Sequence, residues 1–99
     1  MKHLTIILLF LMTLSSPVAA QDYAKGRDAI KAGDYAAAIK EFWQLAEAGD
    51  ATGQFALGLI YENGHGVPQD HKEAVKWYKI AAEQGYAKGQ NKLGSMHLY

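Results

Sequence analysis

The feature that most constrains this chain is a set of residues that recurs at an interval of 36 positions. The interval preserves glycine, alanine, aromatic and acidic positions, so residue type recurs together with spacing. The matched pairs are Asp34 and Asp70, Ala38 and Ala74, Phe42 and Tyr78, Ala46 and Ala82, Gly49 and Gly85, Ala51 and Ala87, and Leu57-Gly58 and Leu93-Gly94. A period of about 20 to 50 residues is typical of repeat proteins, whose units pack against their neighbours. The interval therefore predicts a helical solenoid.

Within each period, apolar residues recur at the spacing of an α-helix. Ala38 and Phe42 share one face of a helix that begins after Asp34, an N-cap residue, and ends before Gly49. Asp70 opens the equivalent helix of the next unit. The predicted helices cover residues 23–32, 35–48, 51–63, 71–84 and 87–99. We expect an all-α fold, a short α-solenoid of antiparallel helix pairs with about five helices.

Four positions in the central unit, residues 51–85, carry predictions about packing or helix capping. Gly58 lies inside a helix, where glycine costs about 1 kcal/mol relative to alanine, so we expect the small alanines of the partner helix to approach it closely. Asp70 and Glu73 have the spacing of a capping box, in which the Glu73 side chain reaches back to the cap. The predicted buried stripe of the second helix consists of Ala74, Tyr78, Ala81 and Ala82. Trp77 lies one position off this stripe and is expected to pack toward the neighbouring repeat.

The chain also resembles a known repeat family. The residues that carry the resemblance are Ala51, Leu57-Gly58, Tyr61, Gly64-x-Gly66-Val67, Asp70, Lys72-Glu73-Ala74, Trp77-Tyr78, Ala81-Ala82 and Gly85. With these positions in register, residues 51–85 resemble a Sel-one-like repeat, a branch of the tetratricopeptide-like helical repeats. Residues 87–99 resemble the first half of another copy, with His97 where the family has Tyr, and residues 23–49 resemble a shorter, more generic unit. The resemblance implies a protein-binding scaffold without catalytic residues.

The half-repeat at residues 87–99 has two interpretations. It can serve as the terminal element of the solenoid, which requires a polar outer side. It can also be what remains of a truncated or decayed repeat. In both cases Leu93 and His97 lie one turn apart on the face expected to pack against the preceding helix.

The N-terminus has the pattern of a secretory signal peptide. Met1-Lys2-His3 provides a basic start, residues 4–14 are an apolar run of 11, and Val18 and Ala20 are the small residues of a cleavage site before Gln21. The alternative is a membrane anchor, but a spanning helix needs about 20 apolar residues. We therefore predict a signal peptide at residues 1–20, a repeat domain at residues 21–99, and a periplasmic or secreted protein.

Composition narrows the classes of partner. Removal of residues 1–20 from the 99 leaves 79, and the loss of Lys2 changes the formal charge from 0 to −1. A nucleic-acid partner calls for a basic face, so we expect none. The chain has no cysteine, and a domain of this size must therefore be stabilised by helix packing or by a partner.

No stretch of the sequence predicts a cofactor, metal or catalytic site. Asn63-Gly64-His65-Gly66 is glycine-rich but follows no strand and lacks the spacing of a phosphate-binding loop. His65 and His71 are six apart, whereas helical zinc ligands are usually three or four apart. No serine or threonine has the setting of a nucleophile. We expect a protein that is not an enzyme and that has no cofactor.

Binding is expected on the concave side, which the first helix of each pair lines in a stacked repeat. With Gly26, Gly58 and Gly94 taken as equivalent positions, the residues one after and three before each of them lie on one surface. The predicted partner-binding residues are Tyr23, Arg27, Phe55, Leu59, Asn91 and Ser95. Exposed aromatics with an arginine are typical of interaction hot spots. The alternative for Phe55 is that it fills a gap between repeats.

These patterns lead to one functional hypothesis and two alternatives. The hypothesis is an exported scaffold that binds a protein or peptide of unknown identity in a concave groove. The first alternative is an accessory subunit stabilised by self-association through its terminal repeats or by a larger envelope complex. The second, a small hydrolase, lacks support because no paired carboxylates or nucleophile are present.

Overall fold

A computed structural model describes residues 17–96 of the chain, with side chains from residue 22 onward. This part of the chain is built from helices alone, and each helix packs against the next one along the chain. The helices are α1 Pro17–Lys31, α2 Tyr35–Glu47, α3 Ala51–Asn63, α4 His71–Glu83 and α5 Ala87–Ser95. The predicted all-α solenoid of antiparallel pairs is confirmed.

The first and last helices differ from the sequence prediction. α1 begins at Pro17, earlier than the predicted Tyr23, and continues across the predicted cleavage point between Ala20 and Gln21. Proline is well suited to the first position of a helix, because its missing N–H would have no intrahelical partner there. α5 ends at Ser95. The predicted continuation to residue 99 and the packing position of His97 lie outside the described residues.

A Gly-Asp dipeptide connects α1 to α2, and another connects α2 to α3. Gly49 has a φ of 90°, which glycine adopts without steric cost, and its N–H donates to the Ala46 carbonyl at 3.0 Å. The N–H of Asp50 donates to the Leu45 carbonyl at 3.0 Å, which completes a Schellman motif. The Asp50 carboxylate then accepts from the N–H of Thr52 at 2.8 Å and caps α3. Gly33 and Asp34 form the same corner before α2.

The predicted capping box at α4 is only half present. Asp70 accepts a hydrogen bond from the backbone N–H of Glu73 at 3.1 Å, as expected of an N-cap. The Glu73 carboxylate does not reach back to the cap. It pairs with Lys76, one turn further on, at 2.9 Å. The prediction for the Glu73 side chain was therefore wrong, because a nearby lysine competes for the carboxylate.

The core has two parts that follow the repeat boundaries. One lies between α2 and α3 and is closed by Trp77 of α4; the other lies between α4 and α5. Trp77 meets Trp43 of the preceding unit edge-on, with ring centroids 5.1 Å apart. The prediction that Trp77 packs toward the neighbouring repeat is confirmed.

A glycine of the first helix lies under an aromatic ring of the second helix in both complete units. A Cβ atom at Gly58 would lie 2.3 Å from Cε1 of Tyr78, and one at Gly26 would lie 2.6 Å from Cζ of Phe42. Gly58 does lie at a helix contact, as predicted. The partner was predicted wrongly, because the ring of Tyr78, and not a group of alanines, fills the space above it.

This contact predicts that Gly58→Ala lowers the free energy of unfolding by about 2 kcal/mol through overpacking. Helix propensity alone predicts that the same substitution raises the free energy of unfolding by about 1 kcal/mol. The sign of the measured change therefore separates the two effects. Urea denaturation followed by circular dichroism measures the change. Ala36→Gly, at an exposed position of α2, is the control, because its effect on stability reports helix propensity. A Gly58→Ala protein more stable than the wild type would show that the ring does not restrict this position.

Candidate functional site

The surface lined by the first helices has a pocket of about 360 Å³ between α1 and α3. Phe42, Ala56 and Ile60 form its buried floor. Arg27 and Lys31, both exposed, lie along its α1 rim. The complete lining consists of Tyr23, Arg27, Ile30, Lys31, Phe42, Ala56, Leu59, Ile60, Asn63 and His65. The pocket thus combines an apolar floor with a cationic rim.

The connector between α3 and α4 supplies a wall of this pocket. The His65 ring stacks on Tyr35 of α2, with centroids 5.0 Å apart and an interplanar angle of 16°. The connector is fixed at its end by Gln69, whose side-chain amide donates to the Glu62 carbonyl at 2.8 Å. His65 therefore lies at the pocket as part of an ordered segment that reaches back over the preceding unit.

Aromatic side chains extend this surface toward α5. The Phe55 ring lies 5.4 Å from the ring of Tyr78 and 5.5 Å from that of Tyr86. Phe55 and Tyr86 are both half-buried. The pKa of Tyr86 is raised above its usual value by partial burial, then by the proximity of Tyr23 and Asp50. Tyr23 of α1, Phe55 of α3 and Tyr86 at the start of α5 therefore lie on one side of the molecule.

Tyr86 occupies the position that Asp50 holds one period earlier, yet it makes no side-chain hydrogen bond to the start of its helix. Loss of an N-cap costs about 1 kcal/mol. At this corner the chain has an aromatic ring in contact with Phe55 in place of a cap.

A polar junction between α3, α4 and α5 lies beside the aromatic residues. The Glu62 carboxylate accepts a hydrogen bond from the Tyr78 hydroxyl and pairs with Lys92 at 3.1 Å. Partial burial would raise the pKa of Glu62, but the hydrogen bonds from Tyr78 and Lys92 and the charges of Lys92 and His71 together lower it below 4.5. Burial and the bond to Glu62 raise the pKa of Tyr78, which remains a donor at neutral pH.

The six predicted partner-binding residues do not all lie together. Tyr23, Arg27 and Leu59 line the pocket. Phe55 contacts Tyr78 and Tyr86 and packs, partly buried, against the second core cluster. The two on α5, Asn91 and Ser95, are exposed and do not line the pocket. A role in partner binding stays a prediction for all six residues.

Sequence reasoning missed several residues of this surface. Lys31 lies four residues after Arg27, and this spacing places the two side chains on one helix face. The three preceding helices have an aspartate N-cap, and Tyr86 stands at the equivalent position of α5. A tyrosine at this position is unusual. His65 was considered only as a metal ligand. In the part of the chain described here, no group of three or more His, Cys, Asp or Glu side chains could hold a metal ion.

The fold and this surface define a tetratricopeptide-like helical repeat scaffold. The Sel1 repeat family model matches residues 51–86 and 87–99, together about half of the chain. The chain belongs to the Sel1 repeat family, whose members generally mediate protein–protein interaction.

Curated relatives share the repeat region. DAP3-binding cell death enhancer 1 from Rattus norvegicus is 42% identical over 59 residues, 60% of this chain and 12% of that protein. An F-box protein from Arabidopsis thaliana is 39% identical over 61 residues, 62% of this chain and 17% of its own length. An exopolysaccharide production negative regulator from Rhizobium leguminosarum is 36% identical over 69 residues, 70% of this chain and 26% of the regulator. The chain spans about a quarter or less of each relative.

Residues 17–96 include no helix that is both long enough and apolar enough to cross a membrane.

The polar junction predicts a pH-dependent contribution to stability. The folded-state pKa of Glu62 is lowered, so ionised Glu62 stabilises the fold above its ordinary pKa of 4.5, and this stabilisation is lost as the pH falls through the lower folded value. Glu62→Gln should cost about 1 kcal/mol at pH 7 and progressively less below pH 4.

The measurement is urea denaturation of wild type and variant between pH 3 and pH 8. Glu83→Gln serves as the control, because Glu83 is exposed and forms no salt bridge in the part of the chain described here. An equal cost of Glu62→Gln at pH 3 and pH 7 would contradict the proposed role of its charge.

Proposed function

We propose that this chain is an exported, non-catalytic scaffold that holds a polypeptide segment of a partner protein in a groove along α1 and α3. The observation that carries the proposal is the pocket of about 360 Å³ on the side of the first helices. Its floor is apolar, and a concave apolar site with a few polar groups at its edge is the usual form of a ligand site.

The neighbouring aromatic residues support a binding surface. Phe55 and Tyr86 remain half-buried, although burying each fully would favour folding. Aromatic side chains and arginine are enriched in the residues that dominate binding energy, and Arg27 lies on the same side as Tyr23. The names of two relatives also describe a binding protein and a regulator, and both roles are compatible with a scaffold.

Photo-crosslinking tests the groove directly. Benzoylphenylalanine placed at Asn63, which is exposed and lines the pocket, leaves Arg27 intact and should yield a discrete adduct with a partner in an extract of the source organism. The same group at Lys79, an exposed position of α4 that does not line the pocket, is the matched control and should not. A folded protein that gives no adduct from position 63, or the same adduct from position 79, would contradict a groove on the first helices. An adduct of two copies of the chain would favour self-association instead.

The proposal of export to the periplasm or the exterior rests on the basic start, the apolar run and the small residues before Gln21. N-terminal sequencing of the protein recovered from the exported fraction should find Gln21 as the first residue. Ala20→Leu, which places a large side chain at the cleavage site, should leave the precursor uncleaved. Recovery of the wild-type chain in the cytoplasm with Met1 or Lys2 as its first residue would show that it is not exported by this route.

A further inference from the structure

The charges at the groove pocket are unbalanced. Arg27 and Lys31 are exposed on its rim, one helical turn apart. No aspartate or glutamate is among the lining residues, although all ten acidic side chains of the chain lie in its described part. The salt bridges of this part join Lys76 to Glu73 and Lys92 to Glu62. Arg27 and Lys31 take part in neither.

The space between the two cations and the opposite wall is apolar. Phe42 and Ile60 are almost fully buried at the floor, and Leu59 is half-buried at the side. A volume of about 360 Å³ is at the lower end of the range of about 300 to 1,000 Å³ for ligand pockets. It suits one large side chain and the backbone that carries it, and it is too small for a folded element.

The far edge provides groups that can pair with a peptide backbone. Asn63 and His65 line the pocket opposite α1, and both side chains contain hydrogen-bond donors and acceptors. His65 is kept in place by its stack on Tyr35. The pocket therefore presents cations on one edge, an apolar floor, and side chains that can form hydrogen bonds on the other edge.

We propose that this pocket selects an acidic peptide segment in which one large apolar side chain is flanked by aspartate or glutamate. The apolar side chain occupies the floor over Phe42 and Ile60, and the carboxylates pair with Arg27 and Lys31. This inference rests on the groove proposed above and adds the chemistry of its ligand. A nucleic acid fits less well, because only two cations line the pocket and the whole chain has a formal charge of 0.

The test is selection of random 12-residue peptides displayed on phage against the full chain. Wild-type selections should be enriched in Asp and Glu within about four residues of Phe, Leu, Met or Trp. A selected peptide, measured by fluorescence anisotropy, should bind the Arg27→Gln/Lys31→Gln double variant about tenfold more weakly. It should also lose affinity as salt is raised, because the paired charges are exposed. The matched control is Lys72→Gln/Lys79→Gln, which removes the same charge from α4 and should leave binding unchanged.

The outcomes separate this inference from the groove itself. Selected peptides without acidic enrichment, whose binding still weakens in Leu59→Ala, would retain the groove and overturn the ligand chemistry. Equal losses of peptide affinity in Arg27→Gln/Lys31→Gln and in the control Lys72→Gln/Lys79→Gln would also overturn the ligand chemistry. An oligothymidylate that binds as tightly as the peptides would identify a general polyanion site and contradict the proposal. If no peptide is enriched on a chain shown to be folded by circular dichroism, both proposals fail.

Discussion

The structure depends on the contact between a glycine of the first helix and an aromatic ring of the second helix within a unit. The ring of Tyr78 lies over Gly58, so the side chain that fills the α3–α4 interface is held where any Cβ would collide with it. With its ring in this position, the Tyr78 hydroxyl reaches Glu62, and Glu62 in turn pairs with Lys92 on α5. The Tyr78 ring also lies 5.4 Å from the ring of Phe55. One contact thus fixes the core, the junction to the next helix and part of the candidate site.

The 36-residue interval was sufficient to predict the helices and their order, because caps and glycine stops mark helix ends with local chemistry. It could not identify what lies above Gly58, since an absent side chain indicates that space is needed but not which neighbour takes it. The direction of the Glu73 carboxylate was missed for a related reason: Lys76 and the cap compete for it, and the sequence does not rank them.

The candidate site was predictable only in part. Tyr23, Arg27 and Leu59 follow from the register of the first helices, and they do line one pocket. The contribution of His65 could not be derived from that register, because it depends on the path of a connector that folds back to stack on Tyr35. Tyr86 illustrates the opposite case. It departs from the aspartate expected at a helix start, and this departure places an aromatic ring against Phe55 at the expense of a cap.

The folded-back connector has a consequence for how such repeats combine. The pocket takes its cationic rim from α1, its floor from α2 and α3, and its end from His65 beyond α3. It therefore belongs to the boundary between two units and not to either unit alone. Replacement of either unit as a whole would therefore change one side of this pocket and leave the other side unchanged.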